Sequence, residues 1–247
     1  EIDVKDNNDQ TALICAAENG NSDCLQLLID AKANLEANDT FGQTVLMSAV
    51  ESAACVRLLV KAKANVNAQG EKGKTALMHA SEYGITCSAR QLLDAKASLE
   101  AQNEDGDNAL MLAAIYGQED CMQLLIDAKA DLEAQSNDDS TALMLAAIHG
   151  KTDCVKCLVD ANSDVNAQDP ETGWTALLLA IKKDKLECAK LLIKANANLE
   201  AKENTLGRNA LILAAGNGNI QCTQLLIDAR ANIDATDDVL GSTALIS

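Results

Sequence analysis

Residues 108–140 read NALMLAAIYGQEDCMQLLIDAKADLEAQSNDDS. Asn108 stands where a side-chain oxygen accepts from the first-turn amides of a helix. Ala109, Leu110, Ala113 and Ala114 follow at helical spacing. Gly117 ends that helix at a position suited to left-handed backbone. Glu119 and Asp120 put negative charge at the start of a second helix, where its dipole favours it. Cys121, Leu124, Leu125 and Ala128 form the apolar stripe of that helix, and Lys129 lies near its C-terminus. DLEAQ, 131–135, reads as extended chain, and a turn leads to the next cap.

The stretch is one copy of a repeat. Segments opening Thr/Asn-Ala/Val-Leu begin at Thr11, Thr44, Thr75, Asn108, Thr141, Thr175, Asn209 and Thr243, spaced by 33, 31, 33, 33, 34, 34 and 34 residues. A period near 33 marks a solenoid of small units, none able to bury its own apolar face. Two residues before each cap stand only Gly or Asp: Asp9, Gly42, Gly73, Gly106, Asp139, Gly173, Gly207 and Gly241. That restriction fits a turn needing positive φ. Three irregularities interrupt the pattern. The copy at Thr44 lacks two residues around VESAAC (50–55), so its helix-to-helix turn is expected to be tighter. Gln91 replaces a core Leu, and from Val165 onward the loops gain a residue, as in QDPETGWT (168–175). IDVKD (2–6) matches the repeat tail LEAND (35–39), and TALIS (243–247) opens an eighth copy. The expectation is a single repeat domain over 1–247, cut from a longer array, because neither end carries a polar cap.

Composition narrows the function. The chain has 247 residues, 48% hydrophobic but only 2% aromatic, with a single proline, which suits many small helical contacts. Its net charge of −17 disfavours general nucleic-acid binding and favours solubility. No run approaches the length of a membrane span.

These residues resemble the ankyrin repeat, whose pattern runs roughly D-x-x-G-x-T-P-L-H-x-A-A-x-x-G, then an L-L helix, then G-A-x-V-N-A. The resemblance covers essentially the whole chain. It implies an all-α solenoid with a helix-turn-helix plus a β-hairpin or loop per repeat, the right-angled loops forming a concave face. Some departures are systematic. Ala replaces Pro after nearly every cap. Lys32, Lys63, Lys96, Lys129 and Arg230 stand where the family has Gly after the second helix, so those ends are expected to be shaped differently.

Cys24, Cys121, Cys154, Cys188 and Cys222 all lie 13 residues after their caps, with Cys55 joining once the deletion is counted and Cys87 one residue early. One Cys per repeat on helices about 8–10 Å apart is too distant for disulfides, which need Cα atoms within about 7 Å. The reading is therefore core packing, no disulfides, no metal, and a reducing, cytoplasmic compartment. His149, Cys154 and Cys157 suggest a metal or redox motif, but two of them fall on the core stripe and the third on the helix end before Gly150.

No catalytic pair or phosphate loop survives inspection, so neither an enzyme nor a cofactor is expected. What remains is a surface for a protein partner, and the resemblance implies that it uses the ends of first helices and the loop tips. Carried onto this chain, those positions give Phe41, Tyr83, Ile115, Tyr116, Ile148, His149, Trp174, Lys182, Lys183, Leu206 and Arg208, with Val239 and Leu240 at a further tip. Independently of the family, all four aromatic residues of the chain (Phe41, Tyr83, Tyr116, Trp174) fall at such positions and none on a core stripe. Ile115, Tyr116, Ile148, His149 and Trp174 come from consecutive repeats and predict an apolar strip, continued by Lys182, Lys183 and Arg208 as a basic end. The expected function is a protein-interaction module. The alternatives are a scaffold or linker subunit of a large complex, or an acidic binder of a basic protein.

Overall fold

A computed structural model describes residues 2–239 and 241–244; Leu240 and the 245–247 part of the eighth copy lie outside the described residues. The described chain forms fourteen α-helices: α1 Ala12–Glu18, α2 Ser22–Asp30, α3 Val45–Ser48, α4 Ala53–Lys61, α5 Ala76–Tyr83, α6 Thr86–Asp94, α7 Ala109–Tyr116, α8 Glu119–Asp127, α9 Ala142–His149, α10 Thr152–Asp160, α11 Ala176–Lys182, α12 Leu186–Lys194, α13 Ala210–Gly216 and α14 Ile220–Asp228. The chain divides into two compact units, Glu1–Ala113 with Asp120–Asp131, and Ala114–Glu119 with Leu132–Ser247. In the first unit α1 packs on α2 and α3, α3 on α5, α2 on α4, and α4 on α6. In the second, α9 packs on α10 and α11, α11 on α12 and α13, and α10 on α12.

The caps form as the sequence predicts. Thr11 Oγ1 accepts from the Ile14 amide, and Thr44, Thr75, Asn108, Thr141, Thr175 and Asn209 do the same three residues on. The first helices are apolar nearly all round because they are covered on most sides; Leu110, Met111, Leu112, Ala113 and Ala114 are buried in succession. All eight Gly or Asp residues before the caps have positive φ. The expected hairpin loops fold back as tight turns, but among the described residues they pair only as isolated bridges, Asn38 with Thr44 and Thr236 with Thr243. The added residue has a visible effect. Gly42 N donates to Asp39 O three residues back, whereas Gly173 N donates to Asp169 O and Gly207 N to Glu203 O, four back.

Three expectations are corrected. The copy at Thr44 absorbs its deletion by shortening α3 to Val45–Ser48 and not by a tighter turn, since residues 49–52 separate it from α4 at Ala53. Lys32, Lys63, Lys96, Lys129 and Arg230 do not reshape the helix ends: they take the left-handed conformation, φ 65 to 70°, as Asn162 and Asn196 do at φ 64°. The reason is the wrap that follows each helix, which tolerates about 1 kcal/mol of local backbone cost. In α6, for example, Lys96 N donates to Leu93 O and Ala97 N to Leu92 O.

The Cys ladder is also incomplete. Cys55, Cys121, Cys154, Cys188 and Cys222 are buried and Cys157 half-buried, but Cys24 and Cys87 are exposed. The ladder position faces the preceding helix pair: Cys121 lies 3.5 Å from Thr86 Oγ1, and Cys188 lies 3.8 Å from Thr152 Oγ1. Cys24, on α2 of the first described helix pair, is exposed. At the Thr75 copy the buried rung is Ser88, not Cys87. Ser88 Oγ donates to the Val50 carbonyl, beyond the end of the four-residue α3. The shortened helix and the polar rung therefore belong together: the deletion leaves a carbonyl without a helical partner, and the hydroxyl supplies one.

An additional ladder was not foreseen. In the first unit the amides of Asn34, Asn65, Ser98 and Asp131 donate to Asp3, Glu36, Asn67 and Glu100 of the preceding copy. In the second, Asp164, Asn198 and Asn232 donate to Glu133, Asn166 and Glu200. Each oxygen ties the chain leaving one second helix to the next.

Burial raises the thiol pKa of Cys121, Cys157, Cys188 and Cys222, and pushes Cys154 up to about 12. Labelling of native protein with a thiol reagent at neutral pH, followed by mass spectrometry, should therefore modify Cys24 and Cys87 first and reach Cys154 and Cys188 only after unfolding. Equal rates at all sites would contradict the ladder. Gln91 Oε1 is buried without a hydrogen-bond partner, at the position where other copies place Leu. An orphaned acceptor costs about 1–3 kcal/mol, so Gln91→Leu should raise stability by about 1–2 kcal/mol in urea titration. A loss of stability would show that the oxygen is satisfied in solution.

Candidate protein-interaction surface

In the second unit six of the predicted residues stand at the ends of three first helices. Ile115 and Tyr116 end α7, Ile148 and His149 end α9, and Lys182 ends α11 with Lys183 as its C-cap. Each first helix runs from a buried cap to an exposed end, so the register of the repeat fixes which side chains emerge. Ile115 and Ile148 are half-buried, while Tyr116, His149, Lys182 and Lys183 are exposed. Trp174, on the enlarged loop before α11, is half-buried, with Lys182 Nζ 4.0 Å from its ring centroid. That cation–π contact fixes both side chains and joins the apolar strip to the basic end.

Two lysines missed in the sequence follow two of these helix ends. Lys151 and Lys185 occupy the N-cap positions of α10 and α12 and make no side-chain capping bond there. Their stems lie across the glycines of the preceding copies. A Cβ on Gly117 would stand 2.8 Å from Lys151 Cδ, and one on Gly150 would stand 2.7 Å from Lys185 Cδ. The available signal was the run Lys182-Lys183-Asp184-Lys185, of which only the first pair coincided with the helix end. Burial, then the charges of Lys151, Lys185 and Lys183, hold the His149 imidazole below its ordinary pKa. A hollow of about 250 Å³ between Tyr116, Gly117, Gly150 and Lys151 is edged by Asp153. A larger cleft of about 630 Å³ opens beyond Lys182, where the small residues Asn217 and Gly218 take the place of bulkier helix ends.

The remaining predicted residues stand on other elements. Arg208 Nε donates to Glu203 Oε1 at 3.2 Å, so its charge is already balanced and it is not part of a free basic end. Leu206 is half-buried on the same loop. Phe41 and Tyr83 are exposed in the first unit. There Tyr83 stacks near His79, ring centroids 6.2 Å apart, beside a hollow of about 300 Å³ edged by Glu18 and Glu51. Burial, then Lys74, lowers the His79 pKa. His149, Cys154 and Cys157 form no metal site; among the described residues no three His, Cys, Asp or Glu side chains converge as one. All nine cysteines are free thiols.

The family model for ankyrin repeats in three copies matches residues 1–70, 53–136 and 128–203, and the single-repeat model matches 206–238. The chain belongs to the ankyrin-repeat family. It is also similar to the crystal structure of the ankyrin repeat domain of Bcl-3, described as a unique member of the IkappaB protein family. The two are 28% identical with a TM-score of 0.78, over 88% of this chain and 98% of that one. None of the curated proteins compared matches the chain. Ankyrin repeats of this kind form a protein–protein interaction module. Among the described residues no helix is long and apolar enough to cross a membrane.

Glu203 is the best-held carboxylate of the loop tips. Burial acts to raise its pKa, but the Leu206, Arg208 and Thr205 amides and the Arg208 guanidinium outweigh burial and hold it below the ordinary value. A depressed folded-state pKa means that the charged form stabilises the fold. That contribution is full above the unfolded value, about 4.3, and is lost as pH falls through the folded value. Glu203→Gln should thus lower stability at pH 7 by about 2 kcal/mol. The deficit relative to native protein should shrink as the pH is lowered to about 3. A deficit constant with pH in parallel denaturation series would sink the assignment.

Proposed function

We propose that the chain docks an extended segment of a protein partner along the helix ends of the second unit, with Ile115, Tyr116, Ile148, His149 and Trp174 as contacts. What supports this reading is that aromatic and aliphatic residues end the first helices of consecutive copies, while Lys182 lies over Trp174. Rigid display suits such docking, because side chains fixed before binding lose little entropy. The family supports an interaction role, and free thiols suit a reducing compartment such as the cytoplasm. Phe41, Tyr83 and Leu206 belong to other parts of the chain and are not needed for this contact.

Selection of binders from a displayed random-peptide library tests the proposal. Selected peptides should carry large apolar residues and bind at least about tenfold more weakly to a Tyr116→Ala, Trp174→Ala double variant, since each anchor contributes roughly 1–2 kcal/mol. The melting curve should change little. Peptides that bind the variant undiminished would refute this docking surface.

A further inference from the structure

Lys151, Lys183 and Lys185 surround His149 in the second unit, Lys182 lies over Trp174, and none of the four forms an ion pair among the described residues. The chain carries 37 acidic residues against 20 basic ones, so acidic partners are plentiful elsewhere. Three of the four lysines are fixed by contacts: Lys182 by its ammonium over the Trp174 ring, and Lys151 and Lys185 by their stems over Gly117 and Gly150. The stem contacts arrange the side chains of Lys151 and Lys185 before any partner arrives. Lys151 and Lys185 also stand at helix N-termini, where the dipole disfavours a cation. Folding alone gives no reason for that choice.

We propose that these four lysines recognise an acidic segment of the protein partner, an inference that rests on the docking surface above. Lys151 and Lys185 hold the same position in consecutive copies, whose helices pack about 8–10 Å apart. An extended chain of polyproline-II form rises about 3.1 Å per residue with three residues per turn, so carboxylates three residues apart share a face and match the two lysines. The fitting segment is extended, with apolar residues toward Tyr116 and Ile148 and a Glu-x-x-Glu run along Lys151 and Lys185. A polynucleotide fits less well. The chain is net −17, and the lysine group is bordered by Asp153 and Asp184, so a long polyanion meets repulsion on leaving the group.

Trp174 is the only tryptophan, and His79 and His149 are the only histidines, so both ends of the group have their own reporters. The probe is a short synthetic peptide with two leucines followed by Glu-Ser-Ser-Glu, titrated into the whole chain with Trp174 fluorescence as readout. Binding should weaken about tenfold in a Lys151→Gln, Lys185→Gln variant, and by a similar factor when both peptide glutamates become Gln. It should also weaken as salt is raised from about 50 to about 300 mM, while Lys156→Gln, an exposed lysine on α10, should leave it unchanged. The His149 NMR titration should move to higher pH on binding, because carboxylates offset the neighbouring lysines. The proposal is overturned if the Gln peptide binds as tightly as the Glu peptide, if neither binds up to about millimolar concentration, or if a single-stranded RNA oligonucleotide displaces the peptide at equal charge. A peptide in which Ser replaces both leucines separates the two readings. Its failure alongside intact binding of the Gln peptide keeps the docking surface and removes the lysine recognition. Unchanged binding of it, with the glutamates still required, does the reverse.

Discussion

No first helix of this chain can exist in water alone. In α9, Ala142, Leu143, Met144, Ala146 and Ala147 are all buried, which leaves almost no polar face to present to solvent. Such a helix must be covered by its own second helix and by the first helices of its neighbours, so stability resides in the interfaces between copies. Alanine makes the arrangement close-fitting. Its small side chain lets helices approach where bulkier residues would hold them apart, and it forms helix well. The scarcity of aromatics follows from the same requirement.

Burying helices so completely obliges every chain end around them to find a partner. The Thr and Asn caps satisfy first-turn amides, and the left-handed residues after the second helices return the chain. The Asp, Glu and Asn oxygens along the extended tails then accept amides from the next copy. Where the pattern is broken, the repair is local. Loss of two residues in the copy at Thr44 shortens α3, and the neighbouring copy answers with Ser88 in place of a thiol. Gln91, on the same second helix, has no comparable answer for its oxygen.

Period, caps and turn residues were legible in the sequence because each follows from one residue and its immediate backbone: a hydroxyl at the cap, a residue tolerant of positive φ before it. The ladder of side-chain oxygens was not read, although only Asp, Glu and Asn occupy its positions from Asp3 to Glu200. Its meaning lies in a contact about thirty residues away, which no local rule supplies. Cys87 misled for a related reason. Counting from the cap puts it one residue from the rung, and on a helix one residue is about 100° of rotation. The placement of residues at the first-helix ends was legible because it follows the register of the core. Arg208 was not, since its loop neighbour Glu203 claims its charge.

The position just before the second helix separates folding from function most clearly. At Ser52 and Asn219 the side chain accepts from a first-turn amide, of Cys55 and of Cys222. Such a cap contributes about 1 kcal/mol. Lys151 and Lys185 forgo it and add a cation where the helix dipole opposes one. Asp153 and Glu187 in the first turns offset part of that, and the stems lying on Gly117 and Gly150 offset more. A side chain that capped as Ser52 and Asn219 do would serve the helix start better, although Asn21 at the same place makes no such bond. Departures from local rules concentrate where a sequence answers to something other than folding. That two occur in consecutive copies, on either side of His149 and beside the Lys182-held Trp174, is the reason to read the first-helix ends as the working face of the second unit.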